Sequence, residues 1–256
     1  KKEFISNDIP GYFSLSSSFY QKHFDTNKYT KSLITDLLYN ADTKFNEIGL
    51  VKDFQILFKN PNTFNKTGSN NESHDETKLL TKLMYSLSYP LKKEGLLYDK
   101  FLKPTLSLRY SPNNTKNISS LDRVLNSNNI NAFNRMSISD GVEGGQSLTA
   151  GLEYKLKDKS GLDKVSLNLA QVYRDVENQD LPLSSTLNQK YSDIIGQVKF
   201  DLFDNLNFKY DFIADNNLNR LNYNLIDTSL KVNNFITSFQ YLEERGDIGS
   251  KSYIKN

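Results

Sequence analysis

Hydrophobic and polar residues alternate along many short segments of the chain between Gly11 and Glu244. A period of two is typical of a β-strand with one apolar and one polar face. Ser147–Lys157 illustrates the pattern, with one face made of Leu148, Ala150, Leu152, Tyr154 and Leu156. The sequence is therefore predicted to form an all-β, antiparallel structure.

About eleven segments show this alternation, and most reach the roughly 9–11 residues that a tilted strand needs to cross a bilayer. Strands of soluble domains are usually about 5–6 residues long. The predicted strands are Gly11–Phe24, Tyr29–Ala41, Gly49–Asn60, Leu79–Leu91, Phe101–Tyr110, Ser147–Lys157, Lys164–Arg174, Asp193–Phe203, Leu206–Ala214, Asn219–Leu230 and Asn234–Glu243.

The predicted connections are sorted by length. The long ones are Pro61–Lys78, Ser111–Gln146 and Asp175–Ser192, and they follow every second strand, so all three lie at the same end of the sheet. Asp204-Asn205 is predicted to be a tight hairpin turn at the opposite end. This arrangement is typical of a transmembrane β-barrel, with long loops outside and short turns in the periplasm. We therefore predict a segment of an antiparallel outer-membrane barrel of more than eleven strands.

The alternation also assigns two faces to the predicted sheet. One face is apolar and is expected to contact lipid; it includes Leu106, Leu108, Tyr110, Val198, Phe200, Leu202, Phe208, Tyr210, Phe212, Phe235, Phe239 and Tyr241. The other face is polar and is expected to line the lumen. Its charged and amide members are Lys103, Arg109, Lys199, Asp201, Lys209, Asp211, Asn222 and Asn224. The phase changes between Leu225 and Ile226, where a β-bulge is predicted to restore the register.

The amino-acid composition argues against several classes of function. Hydrophobic residues make up 37% of the chain and mean hydropathy is -0.59, so no run approaches the roughly 20 apolar residues of a transmembrane helix. The net charge is +2 without a basic stripe, which argues against a nucleic-acid partner. The chain has no Cys, and the His74 segment lacks partners for a metal site or a catalytic triad. No cofactor, metal site or enzymatic activity is predicted.

The most distinctive segment runs from Asn134 to Gly145 and leads into the strand that begins at Ser147. It contains Arg135, Asp140, Glu143, Gly144 and Gly145. Paired glycines permit tight backbone turns, and the two carboxylates are suited to capping turns or to pairing with Arg135. Such features are expected in a loop that folds back over or into a barrel mouth.

This segment resembles the barrel domain of the LPS-assembly outer-membrane protein family, LptD, also called the organic solvent tolerance protein. The family has an Asn-Arg pair, then an Asp, a Glu and paired glycines, followed by a Leu-Thr-x-Gly-Leu-x-Tyr strand, here Leu148–Tyr154. The resemblance implies lipopolysaccharide as substrate, outer-membrane lipid as surroundings, an LptE-like plug lipoprotein and a periplasmic bridge. Residues 1–256 would then be a partial barrel domain, without the family's N-terminal periplasmic domain and closing strands. The matching motif residues are Asn134, Arg135, Asp140, Glu143, Gly144 and Gly145.

Two other function classes fit the same alternation. A general porin or solute channel would carry a constriction loop with opposed charges; Ser111–Gln146 is long enough to form one but is poor in clustered charge. A soluble β-rich binding protein would also show alternating strands. The residues alone do not name the substrate, which comes only from the resemblance.

Overall fold

The computed structural model of the chain describes residues 1–5, 9–24, 28–67, 72–120, 125–135, 139–183, 187–203, 205–246 and 249–255. These residues form one antiparallel sheet of sixteen strands. The strands are β1 (Lys2–Ile5), β2 (Gly11–Phe24), β3 (Lys28–Ala41), β4 (Lys44–Phe45), β5 (Val51–Thr67), β6 (Glu72–Thr77), β7 (Leu80–Ser88), β8 (Leu91–Lys93), β9 (Tyr98–Ser111), β10 (Gly145–Asp158), β11 (Asp163–Arg174), β12 (Ile194–Phe203), β13 (Leu206–Ala214), β14 (Leu221–Val232), β15 (Phe235–Gly246) and β16 (Gly249–Lys255).

The strands pair in the order in which they follow one another along the chain. The main path is β1-β2-β3-β5-β7-β9-β10-β11-β12-β13-β14-β15-β16, and the short strands β4, β6 and β8 pair at its side. Such a meander needs only hairpin connections, as in an up-and-down barrel wall. Within the described ranges, no helix is long and apolar enough to cross a membrane.

All eleven predicted strands are present, but their number was underestimated. The prediction missed β1 and β16, which pair with β2 and β15, and the short β4, β6 and β8. These segments have at most seven residues, too few for the alternation to be recognised against the flanking loops.

The largest error in the predicted connections concerns Pro61–Lys78. Instead of forming a loop at Pro61, β5 continues to Thr67 and spans seventeen residues. Its last residues pair with β3 on one side and with β6 on the other. The pairing runs through Pro61, which lacks an N–H but whose carbonyl accepts from the Lys78 amide at 3.1 Å. The sheet therefore extends further on the long-loop side than the alternation indicated.

The two faces of the sheet differ as their sequence predicts. The inner face, defined here as the face that carries Arg109 and Thr149, is covered by the long connection between β9 and β10. On the outer face, large apolar side chains remain exposed, as the barrel fold requires for contact with lipid. They include Leu15, Phe19, Leu33, Phe58, Leu106, Leu108, Tyr110, Phe200, Leu230, Phe235 and Phe239. The side chain of Leu202 and the predicted turn residue Asp204 lie outside the described residues.

The predicted bulge in β14 is displaced towards the start of the strand. The register between β13 and β14 shifts between Ile213 and Ala214, which pair with Tyr223 and Leu221, so Asn222 is the extra residue. From Tyr223 onwards, the pairing with β15 is regular. The bulge places both Asn222 and Tyr223 on the inner side, where Asn222 donates to Asp193 and Tyr223 packs against buried apolar residues.

Two long connections, 112–144 and 175–193, pack together on the inner face. The amide of Ile118 donates to the Asp180 carbonyl at 2.8 Å, and Asn178 donates to the Thr115 hydroxyl at 2.7 Å. Their apolar side chains and those of the strands beneath form the largest core of the described residues, made of Ile118, Leu125, Ile130, Ala170, Val172, Leu181, Leu187, Ile195 and Ile213. The connection between β9 and β10, hereafter the inner loop (residues 112–144), is thus packed against the strands.

The face assignment yields a test on two neighbouring residues of β9. In the full-length protein folded into bilayers, Leu106→Arg on the outer face should lower the free energy of unfolding by about 2–4 kcal/mol, the cost of an arginine near the bilayer midplane. Thr105→Arg is the control, because Thr105 borders a polar cavity of about 370 Å³ on the inner face. The measurement is urea unfolding, and equal losses in the two variants would contradict the assignment.

Candidate functional site

A buried ion pair links the two ends of the distinctive loop segment. The carboxylate of Glu143 accepts from the guanidinium of Arg135, at 3.0 Å from Nε and 2.5 Å from Nη2. Both side chains are almost fully buried, with exposures of 3% and 1%. This two-point geometry is the strong, directional form of a charge-assisted hydrogen bond. The pair thus brings residues 135 and 143 together above the sheet.

The strands of the inner face supply the remaining contacts to this pair. Arg174, at the end of β11, donates from Nη1 to Glu143 at 2.5 Å and from Nη2 to the carbonyl of Gly144 at 2.6 Å. Arg135 also donates to the hydroxyls of Thr149 and Ser147 on β10, at 3.0 and 2.9 Å. Each contact joins a loop residue to a strand residue, so together they fasten the inner loop to the wall.

Two further cations complete the cluster. Arg109 on β9 donates to the Thr149 hydroxyl at 2.7 Å and, from Nη2, to the carbonyl of Ala132 in the inner loop at 2.9 Å. Lys82 on β7 lies 3.8 Å from Glu143 and 5.6 Å from the centre of the Phe133 ring. Lys82, Arg135 and Arg174 thus converge on one carboxylate from β7, the inner loop and β11. We call Lys82, Arg109, Arg135, Glu143 and Arg174 the charge cluster.

Glycines allow the loop to reach this position. A Cβ atom at Gly144 would lie 2.1 Å from the carbonyl oxygen of Asn113, so only glycine permits the two loop ends to approach so closely. Gly145 has a φ of +78°, which favours glycine and turns the chain into β10. The amide of Gly144 donates to the Thr115 hydroxyl at 2.9 Å, which ties the loop's two ends together.

The charge cluster contains four cations and one carboxylate, so it carries a formal excess of positive charge in a buried place. Burial alone raises the pKa of Glu143, but Arg135, Lys82 and Arg174 outweigh it and hold that pKa well below its ordinary value. Glu143 is therefore ionised throughout the physiological range. Its negative charge is the one anion that the cluster holds among the described residues.

A second attachment lies nearer the long-loop end, at Asp140. Its carboxylate accepts from Lys116 at 2.5 Å and from the Tyr20 hydroxyl at 3.3 Å. Although burial raises the pKa of Asp140, the hydrogen bond from Lys116 is among the interactions that bring it below its ordinary value. Beside it, Lys59 donates to the carbonyl of Ser139 at 2.8 Å. The segment is thus held to the inner face in its middle as well as near its two ends.

Comparison with known families identifies the chain. The family described as LptD, LPS transport system D, matches residues 47–256. The chain belongs to the LptD family. No curated protein matches the chain. LptD proteins are outer-membrane β-barrel proteins that act in lipopolysaccharide transport, and the all-β antiparallel sheet described above has the architecture of that family.

The motif residues of the LptD resemblance occupy different places in this site. Arg135, Glu143, Gly144 and Gly145 belong to the charge cluster or its backbone, while Asp140 forms the separate attachment through Lys116. Of the two carboxylates that the sequence offered as partners for Arg135, Glu143 pairs with it and Asp140 does not. Asn134 is exposed beside Arg135, and the motif residues between 135 and 139 lie outside the described residues.

The predicted polar wall residues other than Asn224 fall into two groups. Arg109, Asp211 and Asn222 are buried beneath the long connections, and Asp211 accepts from Gln197 and Ser127. The others lie on the inner face nearer the short turns; they are Lys103, Lys199, Asp201 and Lys209, of which Lys209 pairs with Asp211 at 2.7 Å.

The assignment of Asn224 to the inner face is wrong. Asn224 pairs with Phe212 in the register of β13 and β14, and its amide oxygen accepts from the Tyr210 hydroxyl at 2.6 Å on the outer face. The reason is the bulge at Asn222, which puts Asn222 and Asn224 on opposite faces although they are two residues apart.

Sequence reasoning missed two members of the charge cluster, Lys82 and Arg174. Both stand at inner-face positions of predicted strands. The alternation of faces along those strands could have placed them on the inner face. Their convergence on Glu143 depends on the packing of the inner loop against three different strands, β7, β9 and β11. No local sequence pattern records such an arrangement. The described residues contain no group of three His, Cys, Asp or Glu that could hold a metal ion.

Loss of the carboxylate should loosen the inner loop. Glu143→Gln leaves the buried cations without their anion, and breaking a buried ion pair in this way typically costs about 3–5 kcal/mol. We expect faster amide hydrogen exchange at residues 125–135 and 139–144 of the full-length protein. Strand amides should be unchanged. Glu153→Gln removes an inner-face carboxylate outside the cluster and is the matched control; equal exchange in both variants would refute the role of Glu143 in holding the inner loop.

The depressed pKa of Glu143 also makes the attachment of the inner loop to the strands dependent on pH. A lowered pKa in the folded state stabilises the closed loop above the ordinary carboxyl value of 4.5, and this contribution is lost as the pH falls below it. Ionisation of Glu143 should therefore not change the hydrogen-exchange protection of the inner-loop amides between pH 5 and 8. That protection should decrease below about pH 4.5. The comparison is hydrogen exchange against pH in the wild type and in Glu143→Gln. The difference between the two should shrink at low pH, and a constant difference would count against the assignment.

Proposed function

We propose that this chain forms part of an outer-membrane barrel that delivers lipopolysaccharide to the outer leaflet. Membership of the LptD family, which acts in lipopolysaccharide transport, carries this proposal. The contrast between the two faces of the sheet supports it. The outer face exposes leucine and aromatic side chains to lipid, while the inner face offers charged, hydroxyl and amide groups.

A translocation mechanism of this kind requires no chemical reaction by the protein. The sugar portion of lipopolysaccharide is hydrophilic, and the inner wall of β9 and β10 provides Lys103, Thr105 and Glu153, which line the cavity of about 370 Å³, for it to pass. The acyl chains remain favourable only next to hydrocarbon, so they would leave the barrel sideways between strands. The role of the wall is thus to solvate the sugars.

The same family membership supports two protein partners. We infer an LptE-like plug lipoprotein inside the barrel and a periplasmic bridge that supplies the substrate. Polar side chains on the inner faces of β2 and β3, among them Ser16, Ser18 and Asp36, are at least partly exposed and give a surface that suits a plug with hydrogen-bonding groups.

The inner loop is the element that a transport assay should examine. Deleting residues 134–145 in the full-length protein should reduce surface lipopolysaccharide and increase sensitivity to large hydrophobic antibiotics, at equal levels of folded barrel. The reason is that the segment fastens the loop through Glu143 and Asp140, and its loss disturbs the lumen without removing a strand.

A point variant gives a milder version of this test. Arg135→Gln removes the loop's main contact to Glu143, whereas Lys155→Gln removes a cation of the same wall that pairs only with Glu153 among the ion pairs described. Surface lipopolysaccharide should decrease in the first variant and not in the second. Normal surface lipopolysaccharide after the deletion would refute the role of the segment. Loss of small-solute uptake with normal lipopolysaccharide would instead favour a channel.

A further inference from the structure

The charge cluster separates two polar cavities along the inner wall. On β7, Leu80 borders a cavity of about 680 Å³ on the long-loop side, and Ser86 borders one of about 370 Å³ on the short-turn side. Lys82 lies between them on the same face of the strand. On β9, Ser107 borders the cavity of about 370 Å³, and Arg109 is the next residue on that face towards the long-loop side. The cluster and the loop packed on it therefore occupy the boundary between the two cavities.

The charges of the cluster are divided unequally between wall and loop. Three cations belong to strands, namely Lys82 on β7, Arg109 on β9 and Arg174 on β11. The carboxylate of Glu143 belongs to the inner loop, together with Arg135, whose charge balances it. Withdrawal of Arg135 and Glu143 together would remove no net charge from the cluster. The wall would keep three cations, of which Lys82 and Arg174 lie against Glu143 at present.

The Glu143 carboxylate does not provide a hydrogen-bond acceptor for every cation of the wall, as Lys82 shows. Its side chain is 1% exposed, and its ammonium has no hydrogen-bond acceptor among the described residues. It lies 3.8 Å from Glu143, beyond hydrogen-bond distance. A buried ammonium without an acceptor is costly, because water has been removed and nothing replaces it. A larger anion with more acceptor oxygens than a carboxylate would meet Lys82 and Arg174 together.

We propose that Glu143 stands in for the phosphate group of a phosphorylated saccharide, and that the wall formed by Lys82, Arg109 and Arg174 binds that phosphate when the loop segment withdraws. Lys82 and Arg174 both lie against the Glu143 carboxylate, and Arg109 stands on β9, between their strands. Cations grouped in this way, with guanidinium donors in a fixed fork, are the usual recognition chemistry for phosphate. This inference rests on the proposed function for the identity of the saccharide. The phosphate chemistry itself rests on the cluster.

The proposal predicts competition between Glu143 and an external anion. With inorganic pyrophosphate as the probe, the full-length Glu143→Gln protein in detergent should bind about tenfold more tightly than the wild type, because the internal competitor is gone. Glu143→Gln combined with Lys82→Met should return the affinity to the wild-type value or below. Glu153→Gln is the control and should bind like the wild type. Ionic strength is held constant, since screening alone changes such affinities.

The wild-type protein provides a second readout that does not depend on the folding of a variant. Pyrophosphate should displace Glu143 and loosen the segment, so cleavage by trypsin after the buried Arg135 should increase with pyrophosphate and not with sodium chloride of equal ionic strength. Unchanged cleavage in the wild type, or no gain in affinity in a folded Glu143→Gln protein, would overturn the anion site.

The source of the phosphate is tested by competition. Lipopolysaccharide should displace pyrophosphate from the Glu143→Gln protein, and the same lipopolysaccharide after enzymatic dephosphorylation should not. Failure of intact lipopolysaccharide to compete would overturn the saccharide assignment. The pyrophosphate measurement contains no lipopolysaccharide. A negative result there would remove the anion site, while the proposed transport function would still be decided by surface lipopolysaccharide.

Discussion

The fold of the inner side depends on one buried carboxylate, that of Glu143. It joins a loop arginine to cations on two strands, β7 and β11, that are not neighbours in the sheet. Without it, the inner loop would leave its buried hydroxyl and carbonyl contacts, and the cations beneath would repel one another. The apolar core below 112–144 and 175–193 supplies bulk attraction, but that attraction is not directional. The ion pairs fix where the loop lies on the wall.

Much of the sheet could be predicted from the sequence, because the period of two depends only on neighbouring residues. Gly11–Phe24 and Leu206–Ala214 have the predicted ends. Features that depend on the partner strand could not be predicted in this way. The continuation of β5 beyond Pro61 arises from pairing with β3 and β6. The bulge at Asn222 is a mismatch between β13 and β14, and it reverses the face of Asn224.

The same division applies to the candidate site. The glycines, Arg135 and Glu143 were identifiable because they lie within one short segment with an unusual composition. Lys82 and Arg174 are separated from Glu143 by 61 and 31 positions, so their meeting depends on register and loop packing together. The alternation of faces along each strand could place Lys82 and Arg174 on the inner face. It could not show which inner-face cations approach the loop and which, such as Lys103 and Lys199, remain near the short turns.

The composition of the charge cluster argues for a role beyond stability. Replacing a buried ion pair by apolar residues of similar size is often neutral or stabilising, so ionic side chains are not needed to hold a loop on a wall. An excess of cations is less favourable still, because Lys82 has lost water without gaining an acceptor. Around it, the sheet does offer apolar packing, as Leu57, Leu80 and Val142 show. A wall that keeps its cations next to this core, between two polar cavities, is better explained by the passage of an anionic group than by the needs of the fold.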